Sequence, residues 1–481
     1  MKKSIVTNAF FNTGYRMLNV LFPFVISIYV SRILGPSGVG RVAYAQSILS
    51  YFLVFASVGI PTYGIRVIAR NTNNREKLNK RFSELIIINS IATTAAIIIY
   101  LSMLFSVEKF SAERMLFLVV GINLFFNYIN IDWFFSGCED YVYITVRSTL
   151  FKLVAIVLIF VFVREKDDVL IYAFIGQLGV CANYIFNVFR LKNRVKLDFR
   201  QLDINQHIKP AVVLLFTILA SDLYNQIDVT MLGWISTNEE VGCYSYAIKL
   251  VRIVTSVATA IAVTVLPRLS QYYNEKEIIQ FNELSQKTVK AVLMVAMPCA
   301  AGLAICSKEI ITILYGESFL RSSEIIDILL PIVIIISVSY FCGSVVLTAI
   351  NKEKYLLVAT ISGAIVNIAL NTYLIPRWEG NGAAVASVFA EIIVLIIHVF
   401  IATKYVRFKF FCKDNIVTVA SSIIMSATVY ITNAYLENSI MGLIITILIG
   451  IAVYSCMMIT LKHEITIMII TRIGHKTKRE R

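Results

Sequence analysis

The sequence predicts an all-α polytopic membrane protein. About fourteen transmembrane helices form two parallel six-helix lobes around a central cleft, with two extra C-terminal helices. Three observations carry this. The 481 residues are 58% hydrophobic and only 15% charged, where soluble domains carry about a quarter. The apolar residues fall in runs of about twenty or more, the length that crosses a bilayer core. The joins between runs alternate between basic and cation-poor.

Taken in order, the first span, 8–32, follows Met1-Lys2-Lys3. Asn8, Asn12, Arg16 and Asn19 interrupt it and no small-residue cleavage site follows, so it reads as a retained helix, not a signal peptide. The remaining spans are 39–65, 82–106, 113–137, 141–163, 168–190, 209–234, 241–266, 285–306, 323–349, 355–375, 381–403, 414–434 and 439–461. The second join holds Arg66, Arg70, Arg75, Lys77, Lys80 and Arg81, and the sixth holds Arg190, Lys192, Arg194, Lys196, Arg200 and Lys209. Ser236–Glu240 and Tyr435–Ser439, both odd joins, hold no cation. Summed over all joins, roughly thirty-two Lys and Arg lie on one side against about nine on the other, which makes both termini cytoplasmic. After the last span, Glu464–Gly474 reads either as an interfacial helix or as an extension of that span. The basic tail Lys476, Lys478, Arg479 and Arg481 follows it.

The same placement explains the net charge of +14. The cations sit where they fix orientation against anionic lipid, so nucleic acid is a poor partner and membrane lipids are the expected one. Eight cysteines are scattered singly without metal-ligand spacing and read as small buried hydrophobes. No Gly-rich phosphate loop with its lysine, no Ser/His/Asp set and no long outward domain is present, which points to a protein that is not an enzyme and needs no cofactor.

The chain repeats itself. Leu34-Gly35, then Val39-Gly40-Arg41-Val42-Ala43-Tyr44-Ala45, recurs as Leu232-Gly233, then Val241-Gly242-Cys243-Tyr244-Ser245-Tyr246-Ala247. Glu139-Asp140-Tyr141 recurs as Glu353-Lys354-Tyr355. The copies lie an even number of spans apart, so the repeats should be parallel. The expected division is an N-terminal lobe 1–200, a C-terminal lobe 205–406, and 407–481 with the last two helices and the tail.

Polar residues within the spans mark a candidate pathway. Asn12, Arg16, Asn19 and Pro23 share one face of the first span, and Ser245, Lys249, Arg252 and Ser256 share one face of the eighth. A cation in hydrocarbon costs about 3 kcal/mol on insertion scales, and Arg252 lies about 16 Å along its helix from Val241. Such groups face water or a bound anion. The seventh span carries Asp222, Asn225, Gln226 and Asp228, and the twelfth carries Glu391. Two readings of the acids stand. Asp222 or Asp228 pairs with Lys249 or Arg252 and locks the helices together, or a carboxylate among Asp222, Asp228 and Glu391 takes a proton or sodium ion while the cations hold an anionic group.

The run Ser31-Arg32-Ile33-Leu34-Gly35-Pro36-Ser37-Gly38-Val39-Gly40, continuing through Tyr44-Ala45-Gln46 to Gly59-Ile60-Pro61, resembles the opening of Wzx-type polysaccharide flippases. These belong to the multidrug/oligosaccharidyl-lipid/polysaccharide exporter superfamily. Tyr224-Asn225-Gln226-Ile227-Asp228 through Met231-Leu232-Gly233 is similar to that family, as are Asn351-Lys352-Glu353-Lys354, Asn367, Asn371 and Leu374-Ile375-Pro376. The resemblance implies a flippase that moves undecaprenyl-diphosphate-linked oligosaccharide repeat units from the inner to the outer leaflet of the bacterial plasma membrane. It also implies ion-coupled alternating access, service to capsule, O-antigen or exopolysaccharide assembly, and a polysaccharide polymerase and a chain-length regulator as partners. Arg16, Lys249 and Arg252, with Asn12, Asn19, Asn225 and Gln226, are the substrate candidates. A multidrug exporter and a peptidoglycan-precursor flippase of the same superfamily are the alternatives.

Overall fold

The computed structural model describes residues 5–471 apart from 193, 201, 408, 437, 438 and 469, with the backbone alone for residues 5–21. The side chains of Asn12, Arg16 and Asn19, and the basic tail from Lys476, therefore lie outside the described residues. Among the described residues every regular element is a helix. The principal ones are α1 (Ile5–Ser57), α2 (Ile60–Asn71), α3 (Arg75–Ser106), α4 (Arg114–Phe126), α5 (Tyr141–Phe162), α6 (Val169–Cys181), α7 (Asn205–Ile235), α8 (Asn238–Thr264), α9 (Ile278–Tyr315), α10 (Arg321–Tyr340), α11 (Lys354–Ala402), α12 (Lys413–Tyr435) and α13 (Ile440–Thr460).

Eleven described helical segments are long and apolar enough to cross a membrane, and Arg114–Ile129 is a shorter apolar one. Two of the long helices are each a pair of arms. α1 breaks at Gly35, whose φ of 64° and ψ of −177° interrupt the hydrogen-bond ladder, and α11 breaks at Glu379 (φ 48°, ψ −124°). The broken helices follow the expected joins near 33–38 and 376–380. The predicted span 113–137 is a more substantial difference. α4 stops at Phe126, and Asn127–Ile129 and Asp132–Gly137 are separate short helices. The cause is Asn127: its carbonyl accepts Asn89 Nδ2 at 3.0 Å and its own amide donates to Thr93 Oγ1 at 2.9 Å. These cross-helix bonds anchor the backbone where the helix would otherwise have continued.

Helix starts follow local chemistry. Asn74 caps α3 by accepting Lys77 N–H at 3.0 Å, and Ser439 caps α13 by accepting Gly442 N–H at 3.0 Å. The long helices are apolar around most of their circumference, so they suit lipid on one side and protein on the other. Ile91, Ile98, Ile99 and Phe105 of α3 and Ile444, Leu448 and Ile451 of α13 are exposed accordingly.

Contacts divide the chain into two compact units. The first runs to Gly233 and includes Thr237–Gly242; the second takes Trp234–Ser236 and the chain from Cys243. α7 thus packs with the first unit for most of its length. The core of the first unit gathers Ile60, Ile68, Phe82, Trp133, Phe134 and Phe135, with Trp133 stacked on Phe82 at 5.6 Å. A core of the second gathers Phe281, Val292, Phe341, Val345 and Ile350. After α10 the chain widens into a π-helical turn, Phe341–Leu347.

The repeated VGxxxYA turns meet inside the first unit. A Cβ on Gly40 would lie 1.7 Å from the Asn238 carbonyl oxygen, and one on Gly242 would lie 2.0 Å from the Pro36 carbonyl oxygen. Each glycine faces the carbonyl four residues before the other. Only glycine fits at such an approach.

Candidate functional site

In the first unit, the second arm of α1 and the C-terminal half of α7 present polar side chains to each other. Tyr51 Oη lies 2.9 Å from Thr230 Oγ1, and Thr230 donates to Ser47 Oγ at 3.0 Å. Ser47 in turn donates to the Tyr44 carbonyl at 2.8 Å, which anchors this ladder to the repeat turn. Asp222 is half-buried near Ser50, whose hydroxyl donates to the Ser47 carbonyl at 2.8 Å. Asp222 Oδ2 is buried and meets no hydrogen-bond donor among the described residues. Asp228 is 8% exposed, and its charge, like that of Asp222, acts on Tyr51. Burying a carboxylate oxygen without a donor is costly unless a cation or proton satisfies it. A seam of two carboxylates, a phenol and three hydroxyls can therefore hold a proton or a small cation.

The other α7 candidates split from this seam. Asn225 is exposed and its amide donates to the Ser221 carbonyl at 2.7 Å, while Gln226 is half-buried. In the second unit, Lys249 is half-buried with its ammonium 5.6 Å from the Tyr246 ring centroid, and Tyr246 stacks on Phe319 at 4.9 Å. Arg252, one turn along α8, is exposed. Glu391 is half-buried on α11, and His398 is buried with Nδ1 2.9 Å from Ser339 Oγ. Asn367 and Asn371, both buried, bond each other at 2.9 Å. Among the described residues no three His, Cys, Asp or Glu side chains gather as a metal site.

Two polar networks were not singled out by sequence reasoning. Glu84 is fully buried and accepts Arg81 at 2.9 Å, His207 Nε2 at 2.8 Å and Asp203 N–H at 2.8 Å, while His207 Nδ1 meets Tyr63 Oη at 2.9 Å. Lys196 N–H and Asp198 N–H bond Asn79 and Ser83 beside it, so the segment before α7 is pinned to the start of α3. Arg147, 6% exposed, donates to Asp132 at 2.6 Å and to Asn187, and stands over the Tyr143 ring. The available signal was an acid, Glu84, placed just inside a span that opens on a strongly basic join.

The helical layout defines a multi-pass membrane transporter fold. It superposes on a solved lipid II flippase MurJ in an inward closed conformation with a TM-score of 0.76, at 18% identity, over 95% of this chain and 99% of that one. Residues 214–373 match the MatE family model. Residues 5–273 match the family described as polysaccharide biosynthesis protein, which is more than half of the chain, and the protein belongs to that family. A Shigella dysenteriae protein named for O-antigen transport is 25% identical over 79% of this chain and 95% of its own. A Haloferax volcanii protein named as a low-salt glycan biosynthesis flippase is 28% identical over 48% of this chain and 49% of its own.

Proposed function

We propose that this protein flips lipid-linked oligosaccharide repeat units from the inner to the outer leaflet of a bacterial plasma membrane. The observation that carries the reading is the alignment, over 79% of this chain and 95% of the other, with a relative named for O-antigen transport, within a polysaccharide biosynthesis family. The physical logic agrees. A diphosphate needs cations, a sugar needs amides and aromatic faces, and a prenyl tail stays in lipid, so only the head group must cross. Lys249 and Arg252, with Arg16, are assigned to the diphosphate. Asn12, Asn19, Asn225 and Gln226 are assigned to the head group.

Transport runs by alternating access of the lobes 1–200 and 205–406, coupled to a proton or sodium ion. Asp222 is the first candidate for that ion because its Oδ2 is buried without a donor among the described residues; Asp228 and Glu391 follow. The protein does no bond-making chemistry of its own, keeps both termini in the cytoplasm, and hands its cargo to a polysaccharide polymerase and chain-length regulator. In an Arg252→Ala strain, lipid-linked repeat units should accumulate on the inner leaflet while the protein reaches the membrane in normal amount. Normal surface polymer in that strain would overturn the assignment of Arg252. A deletion that abolishes viability in place of polymer would favour a peptidoglycan-precursor cargo.

A further inference from the structure

Three cation-poor joins come together at one end of the second unit. Arg321, Ile328, Pro376, Arg377, Trp378, Glu379, Asn381 and Val385 line an open cavity of about 640 Å³, and Ser236 Oγ donates to Glu379 at 3.4 Å from a third join. The charge asymmetry of the sequence puts all three on the outer face.

Several independent features of this cavity call for a ligand. Glu379, with φ 48° and ψ −124°, occupies a region that side chains other than glycine adopt at a cost of about 1–3 kcal/mol. Asn381 Oδ1 is buried and meets no hydrogen-bond donor among the described residues. The Arg377 guanidinium lies 3.7 Å from the Tyr373 ring centroid and donates to the Tyr373 carbonyl at 2.7 Å, which fixes its plane at the cavity wall. Trp378 is 55% exposed beside it. A flat apolar indole face, a planar amide with a vacant acceptor, a carboxylate and a pinned guanidinium are the groups that grip a pyranose. The ring's C–H face stacks on the indole, and paired hydroxyls bridge the planar polar groups. Arg321 is ion-paired with Glu324, whereas Arg377 bonds the Tyr373 carbonyl and meets no carboxylate in an ion pair among the described residues, so a sugar bearing a carboxylate gains a partner at Arg377 that a neutral one does not.

We infer that this cavity is an outer-face binding site for acidic saccharide, which holds the head group of the cargo after it has crossed. The inference rests on the proposed flippase function but concerns a site away from Lys249 and Arg252. The test uses the full-length protein in nanodiscs, with saturation-transfer NMR against oligogalacturonate and, as the neutral probe, maltooligosaccharide. Oligogalacturonate should bind in preference. Trp378→Ala and Asn381→Ala should each weaken it by about tenfold, and Arg377→Gln should abolish the preference over maltooligosaccharide. Each variant is checked by its thermal melting curve. Where Asn381→Ala melts early, Asn381→Asp, which retains the size but repels the probe's carboxylate, replaces it. Three results would overturn the site: no binding of either probe, binding that survives Trp378→Ala, or a Trp378→Ala effect on melting alone, the mark of an interfacial anchor. Those results leave head-group translocation measurable in cells, so loss of the site and loss of the flippase reading are separate outcomes.

Discussion

Asp222 shows how much a single side chain can depend on its neighbours. Its Oδ2 is buried without a donor among the described residues, and the nearby Ser50 hydroxyl donates to the Ser47 carbonyl. If Asp222 carries the coupling ion, Asp222→Asn should leave membrane insertion intact and reduce ion-driven flipping by an order of magnitude or more, since the amide cannot ionise. Undiminished ion-dependent transport in that variant, measured in proteoliposomes, would sink the assignment. Glu84 is the opposite case: three donors close around a fully buried carboxylate. Replacing it by leucine strands Arg81, His207 and the Asp203 N–H, and removal of one partner from a buried pair costs about 3–5 kcal/mol. Glu84→Leu should therefore lower the melting temperature of the purified protein far more than Glu283→Leu, an exposed acid whose lysine lies 4.0 Å away.

At the scale of elements, the contact between the repeated turns leaves no room for a side chain at Gly40 or Gly242. A methyl group at Gly40 or Gly242 collides with a backbone carbonyl, which cannot rotate away as a flexible side chain would. Gly40→Ala and Gly242→Ala should each destabilise by about 1–3 kcal/mol or more. Gly176→Ala, with nothing within 4 Å of its added Cβ, should be neutral or slightly stabilising through helix propensity. Equal melting of all three would contradict the packing. The same contact explains why the repeat was visible in sequence, since a backbone approach of this kind leaves only glycine available. The break in span 113–137 was not visible, because Asn127 makes its decisive bonds to Asn89 and Thr93, more than thirty residues earlier.

For the molecule as a whole, orientation follows from charge. A membrane-impermeant maleimide applied to intact cells should label a single cysteine placed at Ser236 or Ser439 and not one at Lys276. Labelling of Lys276→Cys from outside would reverse the topology and with it the placement of the saccharide site. The folds of a lipid II flippase and of this chain agree over nearly their full lengths at 18% identity, so the helical framework tolerates wide change in side chains.

The sequence by itself determined the membrane class, most span positions and the repeat. Each of these is a property of local hydrophobicity, charge or spacing, and bilayer thickness converts them directly into structure. Tertiary structure alone decided that Ser47, Tyr51 and Thr230 form a ladder, that Glu84 closes on His207, and that Trp378 and Asn381 share a cavity with Arg321. Hydrogen bonds and cavity walls need atoms within about 3–4 Å, and residues up to 183 positions apart in the chain reach that distance only after the helices have packed.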